Sequence, residues 1–237
     1  MGWQYIDPMT LCCVCGQWQS HTVCEDCIAT LAQPRPRCVR CALPLDDPAP
    51  CACGREPNPS MALDRCVAAV DYDHPWSHLV ARLKFANDIG LARALALLMR
   101  HAPWAEPLLE AADRVLPLPL SAQRLQERGY NQALELARHL CPSHKLDLHS
   151  LQRLPSEAHQ VGATLTQRQA QVAHSFWLHP EAVTALRGQR VLLIDDVMTT
   201  GATLHAAARV LRQAGVASVS ALVLARTPAP RREPVPV

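Results

Sequence analysis

Residues 191–204 read VLLIDDVMTTGATL, and this stretch decides the fold. Val191–Ile194 is a continuous apolar run of the kind that a parallel strand buried on both faces shows. Thr203–Ala214 is rich in Ala and Leu and reads as a helix, with Gly215 where a left-handed C-terminal cap belongs. Val219–Leu224 supplies a returning strand. Strand, loop, helix, Gly and strand over about 34 residues make a βαβ unit.

In an open parallel sheet, ligands bind beyond the carboxyl ends of the strands. The strand Val191–Ile194 is expected to end directly in Asp195 and Asp196. There a tight turn would set both carboxylates to accept hydrogen bonds from a vicinal ribose diol. Thr199, Thr200, Gly201, Ala202 and Thr203 then open the next helix. A helix N-terminus offers unpaired N–H groups and about half a positive charge, and small residues let a phosphate approach them. Asp-Asp alone is ordinarily a solvated turn, and Thr-Thr-Gly alone a helix start. At this spacing after a buried strand they read together as a ribose-and-phosphate site. The competing dinucleotide class needs G-x-G-x-x-G, which the sequence lacks.

Upstream, Cys66–Tyr72 reads as the strand that opens this domain. Ser77–Ala102 is helical, with Leu79, Leu83, Leu91, Leu95 and Leu98 on one face and a break at Gly90. In Val115–Leu120 the prolines confine a strand to its first residues. Asn131–Leu140 has helical spacing, and Leu146–Leu151 and the run around Phe176 are candidate strands. The segment TPAPRREPVPV reads as a loose tail.

The 237 residues are nearly half hydrophobic, enough to bury a core, with no apolar stretch long enough for a membrane span and no signal-peptide pattern at Met1–Thr10. A cytoplasmic protein without membrane insertion is expected. In that compartment eleven cysteines point to metal and away from disulfides. Cys12/Cys15, Cys24/Cys27, Cys38/Cys41 and Cys51/Cys53 are spaced as four knuckles. Two knuckles complete a tetrahedron around Zn²⁺, so eight thiolates suit a double zinc ribbon. One ion or two stays open, because Cys51-x-Cys53 is one residue shorter than a standard knuckle. Cys13, Cys66 and Cys141 read as spare or core thiols. Charge divides as −2 over residues 1–66 (five Arg against seven acids) and +4 over residues 67–237 (18 Lys or Arg against 14 acids). The basic residues are 21 Arg and 2 Lys; genome composition explains this bias as readily as phosphate recognition does.

VLLIDDVMTTGATL resembles the signature of type I phosphoribosyltransferases, whose fold binds 5-phosphoribosyl diphosphate (PRPP). Further pieces stand in order along the chain: the cysteine knuckles, Leu83-Lys84-Phe85, the stretch VLPLPLSAQRLQERGYN at 115–131, and LQRLPSEAHQVGATLTQRQAQVAHSF at 151–176. Together they resemble the ComF family of competence-associated proteins, including its GntX-like members. The resemblance implies an α/β fold, a type I phosphoribosyltransferase-like parallel sheet flanked by helices, with a small N-terminal zinc-ribbon module. It divides the chain into a cysteine-rich module at 1–60, a phosphoribosyltransferase-like domain at 61–227 and a tail at 228–237.

It also implies roles. Asp195 and Asp196 would hold the ribose hydroxyls, and Thr199 to Thr203 the 5-phosphate, with Mg²⁺ on the diphosphate and ribose oxygens. Pro117 to Leu120, Arg124, Arg128 and Gly129-Tyr130-Asn131 would lie near the diphosphate. Arg153, Gln160 and Arg168 would come from a segment over the site. Gln171 stands where the family usually has Asn. Without the resemblance, Arg124, Arg128 and Arg168 read as solvated helix charge. The implied function is a ComF-like competence protein that binds PRPP or a related ribose-phosphate ligand and assists the handling of incoming single-stranded DNA. DNA-uptake or recombination proteins would be its partners. Tyr72, Trp76, Phe85 and Tyr130 are available to stack on bases, or belong to the core. The alternative is an active phosphoribosyltransferase with an unknown acceptor.

Overall fold

Strands without polar alternation must be covered on both faces. The computed structural model, which describes residues 10–45, 51, 53, 61–154 and 175–229, meets that requirement. In chain order it contains β1 (Thr10–Leu11), β2 (Trp18–Gln19), α1 (Glu25–Leu31), β3 (Arg65–Asp71), α2 (Trp76–Phe85), α3 (Leu91–Arg100) and α4 (Ala105–Ala111). There follow β4 (Arg114–Pro117), α5 (Ala122–Arg128), α6 (Gln132–Leu140), β5 (Leu151–Arg153) and β6 (Phe176–Leu178). The remaining elements are α7 (Pro180–Leu186), β7 (Arg190–Met198), α8 (Ala202–Gln213) and β8 (Ser218–Arg226).

Four strands form a parallel sheet in the order β3-β8-β7-β4. In β7, Val191 lies opposite Val219 of β8 on one side and Arg114 of β4 on the other. Leu192, Ile194, Leu222 and Leu224 pack on one face with Leu79 of α2, Leu95 of α3 and Leu136 of α6. Val191, Leu193, Ala221 and Val223 pack on the other with Leu186 of α7 and Ala207 and Leu211 of α8. The chain leaving β4 leads to α6 on the first face, while the chain leaving β7 leads to α8 on the second. A crevice therefore opens between the carboxyl ends of β4 and β7, where open α/β sheets bind ligands.

The expected helical stretch is indeed two helices broken at Gly90, and β4 stops at Pro117 as its prolines require. Gly215 takes φ +79° after α8. Two expectations need correction. Leu146–Leu151 is not a strand: Leu146 makes one parallel bridge to Val115. The Asp147 carboxylate then accepts from the N–H groups of His149 and Ser150, both at 3.0 Å, so pairing resumes only at Leu151. Asp turns of this kind offer the backbone a local partner in place of a ladder. Second, β7 does not end at Ile194; it continues through both aspartates to Met198, and the turn falls at Thr199–Gly201.

The cysteine-rich segment packs directly on the sheet domain. Cys12, Val23, Cys24 and Cys27 share the first core with Trp76 and Val80, and Ala42 shares the second with Cys66. The Trp76 indole N–H donates to the Leu31 carbonyl at 3.0 Å, and Arg37 pairs with Asp71 at 2.7 Å.

Candidate ligand site and cysteine centres

Side chains alternate along a strand. Asp195 therefore turns toward the face of Val191 and Leu193, and Asp196 toward the face of Leu192 and Ile194. Asp196 meets Lys84 of α2 there, Oδ1 to Nζ at 2.8 Å, with both side chains largely buried. On the opposite side, Arg153 of β5 stacks over Phe176 at 5.3 Å. Burial and then the neighbouring Asp196 charge push the Asp195 carboxyl up to about 7, against the favourable Lys84 and Arg153 charges. Burial and the Arg124 charge lower the Arg153 pKa, and Asp195 opposes this. Arg153 thus lies within electrostatic reach of both Asp195 and Arg124.

Beyond β7 the chain turns at Gly201, φ +81°. A side chain there would be strained, and its Cβ would collide with Met198 Cε and press on His205 Cδ2 at 3.3 Å. The Thr200 hydroxyl accepts from the Ala202 N–H at 3.3 Å. Ala202 and Thr203 begin α8, so the small residues stand at a helix N-terminus as expected. The imidazole of His205 is buried, and burial lowers its pKa to about 4. Its Nδ1 accepts from the Ala62 N–H at 3.1 Å, tying the first turn of α8 to the start of the sheet domain.

Across the crevice, Ser121 caps α5 and accepts from the Arg124 N–H at 3.4 Å. Lys84, Phe85, Asn87, Arg124, Glu127 and Arg128 line a cavity of about 260 Å³. The Arg128 guanidinium sits 5.3 Å over the Phe85 ring and donates to Gln132 Oε1 at 2.8 Å. The next three residues serve the scaffold. Gly129 ends α5 at φ +77°. The Tyr130 hydroxyl donates to the Leu83 carbonyl. Asn131 caps α6 and donates to the Leu118 carbonyl at 2.9 Å. Of the four aromatics, Trp76 is core, Tyr72 is partly buried against the first core, Tyr130 is anchored and partly buried, and Phe85 is 74% exposed. Gln160, Arg168 and Gln171 lie outside the described residues.

The cysteines form two compact groups, Cys12/Cys15/Cys24/Cys27 and Cys38/Cys41/Cys51/Cys53, with all sulfurs in each group within 4.8 Å of one another. Zn–S bonds of 2.3 Å put tetrahedral sulfurs about 3.8 Å apart. The observed separations are 3.9 Å for Cys12–Cys27, 3.8 Å for Cys15–Cys24, 3.4 Å for Cys38–Cys53 and 3.5 Å for Cys41–Cys51. Cys12 accepts from the N–H groups of Cys24 and Val14. Burial opposes ionisation of Cys12 and Cys38, yet backbone N–H donors outweigh it and bring them down to about 6 and about 7. Burial and the neighbouring sulfurs push Cys27 and Cys53 the other way, so it is the compact four-sulfur geometry of each group that could hold a metal such as zinc. The short Cys51-x-Cys53 step does not prevent the second group from closing.

Two residues escaped the sequence reading. Lys84 was visible only as part of Leu83-Lys84-Phe85, with nothing to mark its partner. Arg226, the last residue of β8, gave no signal beside the basic tail. It is 6% exposed and donates to the carbonyls of Cys41 (2.7 Å), Met198 (3.1 Å), Thr227 (2.6 Å) and Thr199.

A parallel sheet with Asp-Asp near the carboxyl end of β7 and a Thr-Gly helix entry defines a phosphoribosyltransferase-type domain, and the phosphoribosyl transferase domain family model matches residues 126–236. The chain is 32% identical to the DNA utilization protein YhgH of Salmonella typhimurium, over 86% of this chain and 90% of that protein. It is 34% identical to competence protein F of Haemophilus influenzae, over 73% and 78%. With competence protein ComFC of Bacillus subtilis it shares 31% identity, over 92% and 78%. The chain belongs to the ComF family. Among the described residues no helix is long and apolar enough to cross a membrane.

Proposed function

We propose that the crevice binds PRPP, with Asp195 and Asp196 on the ribose hydroxyls, Thr199, Thr200, Gly201, Ala202 and Thr203 on the 5-phosphate, and Arg124, Arg128 and Arg168 toward the diphosphate. Mg²⁺ would accompany the diphosphate. The observation that carries this reading is the pairing of two adjacent carboxylates near the carboxyl end of β7 with a small-residue helix entry at Gly201. Zn²⁺ would be held by Cys12, Cys15, Cys24 and Cys27, and by Cys38, Cys41, Cys51 and Cys53. Each ion would cross-link two knuckles within the 1–60 module, which packs on the sheet domain through Cys12, Cys24 and Cys27. In this reading Lys84 holds Asp196 in place before ligand arrives, and Arg153 lends charge beside Asp195.

The physiological role in this proposal is the handling of incoming single-stranded DNA in natural transformation, alongside DNA-uptake or recombination proteins, in the cytoplasm. It is supported by the names of the relatives and by exposed Phe85 beside Arg124 and Arg128, an arrangement that suits base stacking next to backbone phosphates. Calorimetric titration with PRPP and, separately, with single-stranded DNA tests both parts. Heat from neither ligand would end the proposal.

The match to the phosphoribosyl transferase domain over residues 126–236 favours a second reading, transfer of phosphoribose to an acceptor. Release of pyrophosphate from PRPP in the presence of candidate bases or amines distinguishes a transferase from a binder.

A further inference from the structure

We propose that Arg226 couples the second cysteine group to the Met198–Gly201 turn, so that metal held by Cys38, Cys41, Cys51 and Cys53 and anion held at the turn stabilise one another. The anion part rests on the ribose-phosphate reading above; the coupling itself does not.

The guanidinium of Arg226 is buried, and its four described hydrogen bonds all go to backbone carbonyls, none to a carboxylate. A buried cation without a countercharge is costly. One of those carbonyls belongs to Cys41, a member of the second group; two belong to Met198 and Thr199, at the entry to the turn. Four thiolates around Zn²⁺ leave a net double negative charge, which would serve as the missing counterion. Holding the Met198 and Thr199 carbonyls inward fixes the peptide planes of the turn before any ligand arrives.

A parallel connection runs beside it. The Cys66 N–H donates to the Val39 carbonyl, between Cys38 and Cys41, at 2.7 Å. The Cys66 thiol meets Met198 Sδ at 3.4 Å, and Met198 Cε lies directly beneath Gly201. Disturbing the second knuckle therefore reaches the turn through both its charge and its packing. Among the described residues the first group shows no such connection; its core neighbours include Trp76 and Val80 of α2.

The test uses the full chain and needs no ligand for its first arm. Hydrogen–deuterium exchange is followed in peptides covering 198–204 and, as an internal control, 215–217. Cys53→Ser and Arg226→Lys should each speed exchange at 198–204 by about fivefold or more, the lower end of typical coupling, with 215–217 unchanged. In the second arm, zinc release to a chromophoric chelator is timed with and without PRPP. Wild type should release its second zinc more slowly with PRPP, and Arg226→Lys should show no such slowing. Chelation of wild-type zinc gives the same exchange readout should Cys53→Ser fail to fold.

Exchange at 198–204 that does not respond to chelation or to Arg226→Lys would overturn the coupling. Equal acceleration in both peptides would also overturn it, since that is what general loss of core packing gives. If PRPP fails to bind wild type while the exchange pattern holds, the ribose-phosphate reading falls and the coupling stands.

Discussion

The first cysteine group draws its candidate ligands from Cys12 to Cys27, a span of chain that folds around itself. The turn at the end of β7 gathers Lys84 from α2, Arg153 from β5 and Arg226 from β8. Both places concentrate charge at the margin of the core, yet they are assembled differently. In the cysteine groups the charged atoms would bond to an ion, and the energy of that bond is folding energy. At the turn the charged groups are held by the fold and spend stability on a ligand not yet present. The raised carboxyl of Asp195 is the sign of that expense.

The largest expected effect lies on the cysteine side. Purified, unoxidised protein should contain one to two zinc ions. Chelation should unfold the 1–60 module first and also lower the thermal midpoint of the sheet domain, because Cys12, Cys24 and Cys27 lie in its first core. Metal content below half an equivalent would remove the distinction between the two places.

Asp195→Asn and Asp196→Asn come next, and they should differ. Losing a charged acceptor costs roughly 1.5–3 kcal/mol, so either change should weaken PRPP binding about ten- to a hundredfold. Their stabilities should move in opposite directions. Asp195 has its folded pKa raised above its unfolded value, so its favourable contribution is complete below about pH 4 and lost as pH rises through about 7. Asp195→Asn should therefore raise the thermal midpoint at pH 8 and leave it unchanged near pH 4. Asp196→Asn strands the buried Lys84 ammonium and should cost on the order of 3 kcal/mol. Calorimetry and melting curves on the two variants settle the matter; melting points that fall together would mean the two carboxylates are not differently employed.

PRPP affinity itself should rise with pH through about 7 and level off above it, as Asp195 ionises to accept the diol. A flat profile from pH 5.5 to 8.5 would place the ligand elsewhere.

The smallest effect concerns single-stranded DNA. Contact with about four phosphates would give a log–log salt slope of roughly −3. Replacing Arg124 and Arg128 together should flatten it while leaving zinc content unchanged. A salt-independent affinity would separate those arginines from nucleic acid altogether.

What was legible in the sequence follows the same division. The cysteine spacing carried both cysteine groups because knuckles are local. The βαβ unit was legible because an uninterrupted apolar strand, a capped helix and a second apolar strand have few other uses. Long-range partners were not legible. Nothing adjacent to Lys84 names Asp196, and Arg226 lies 185 residues from the Cys41 carbonyl it binds. The end of β7 was misplaced because two aspartates look like the start of a turn. In the fold, Lys84 and Arg153 compensate them from opposite sides, which lets the strand run on to Met198. The short helices α1, α4 and α7 were missed because seven residues carry too little periodicity to register.

The position of β8 has a consequence for biosynthesis. It lies between β3 and β7 in the sheet, yet it follows every other described strand in the sequence. While the chain is being translated, β4 and β7 can pair, but β3 has no neighbour until residues 218–226 emerge. The closing contact joins Asp64 to Val219 across 155 residues of chain, the kind of non-local closure that slows folding. A nascent or truncated chain lacking β8 presents two open strand edges to other copies of itself, an aggregation hazard. It also lacks the arginine that secures the turn, so an incomplete chain would form its cysteine knuckles before it could acquire a formed ligand site.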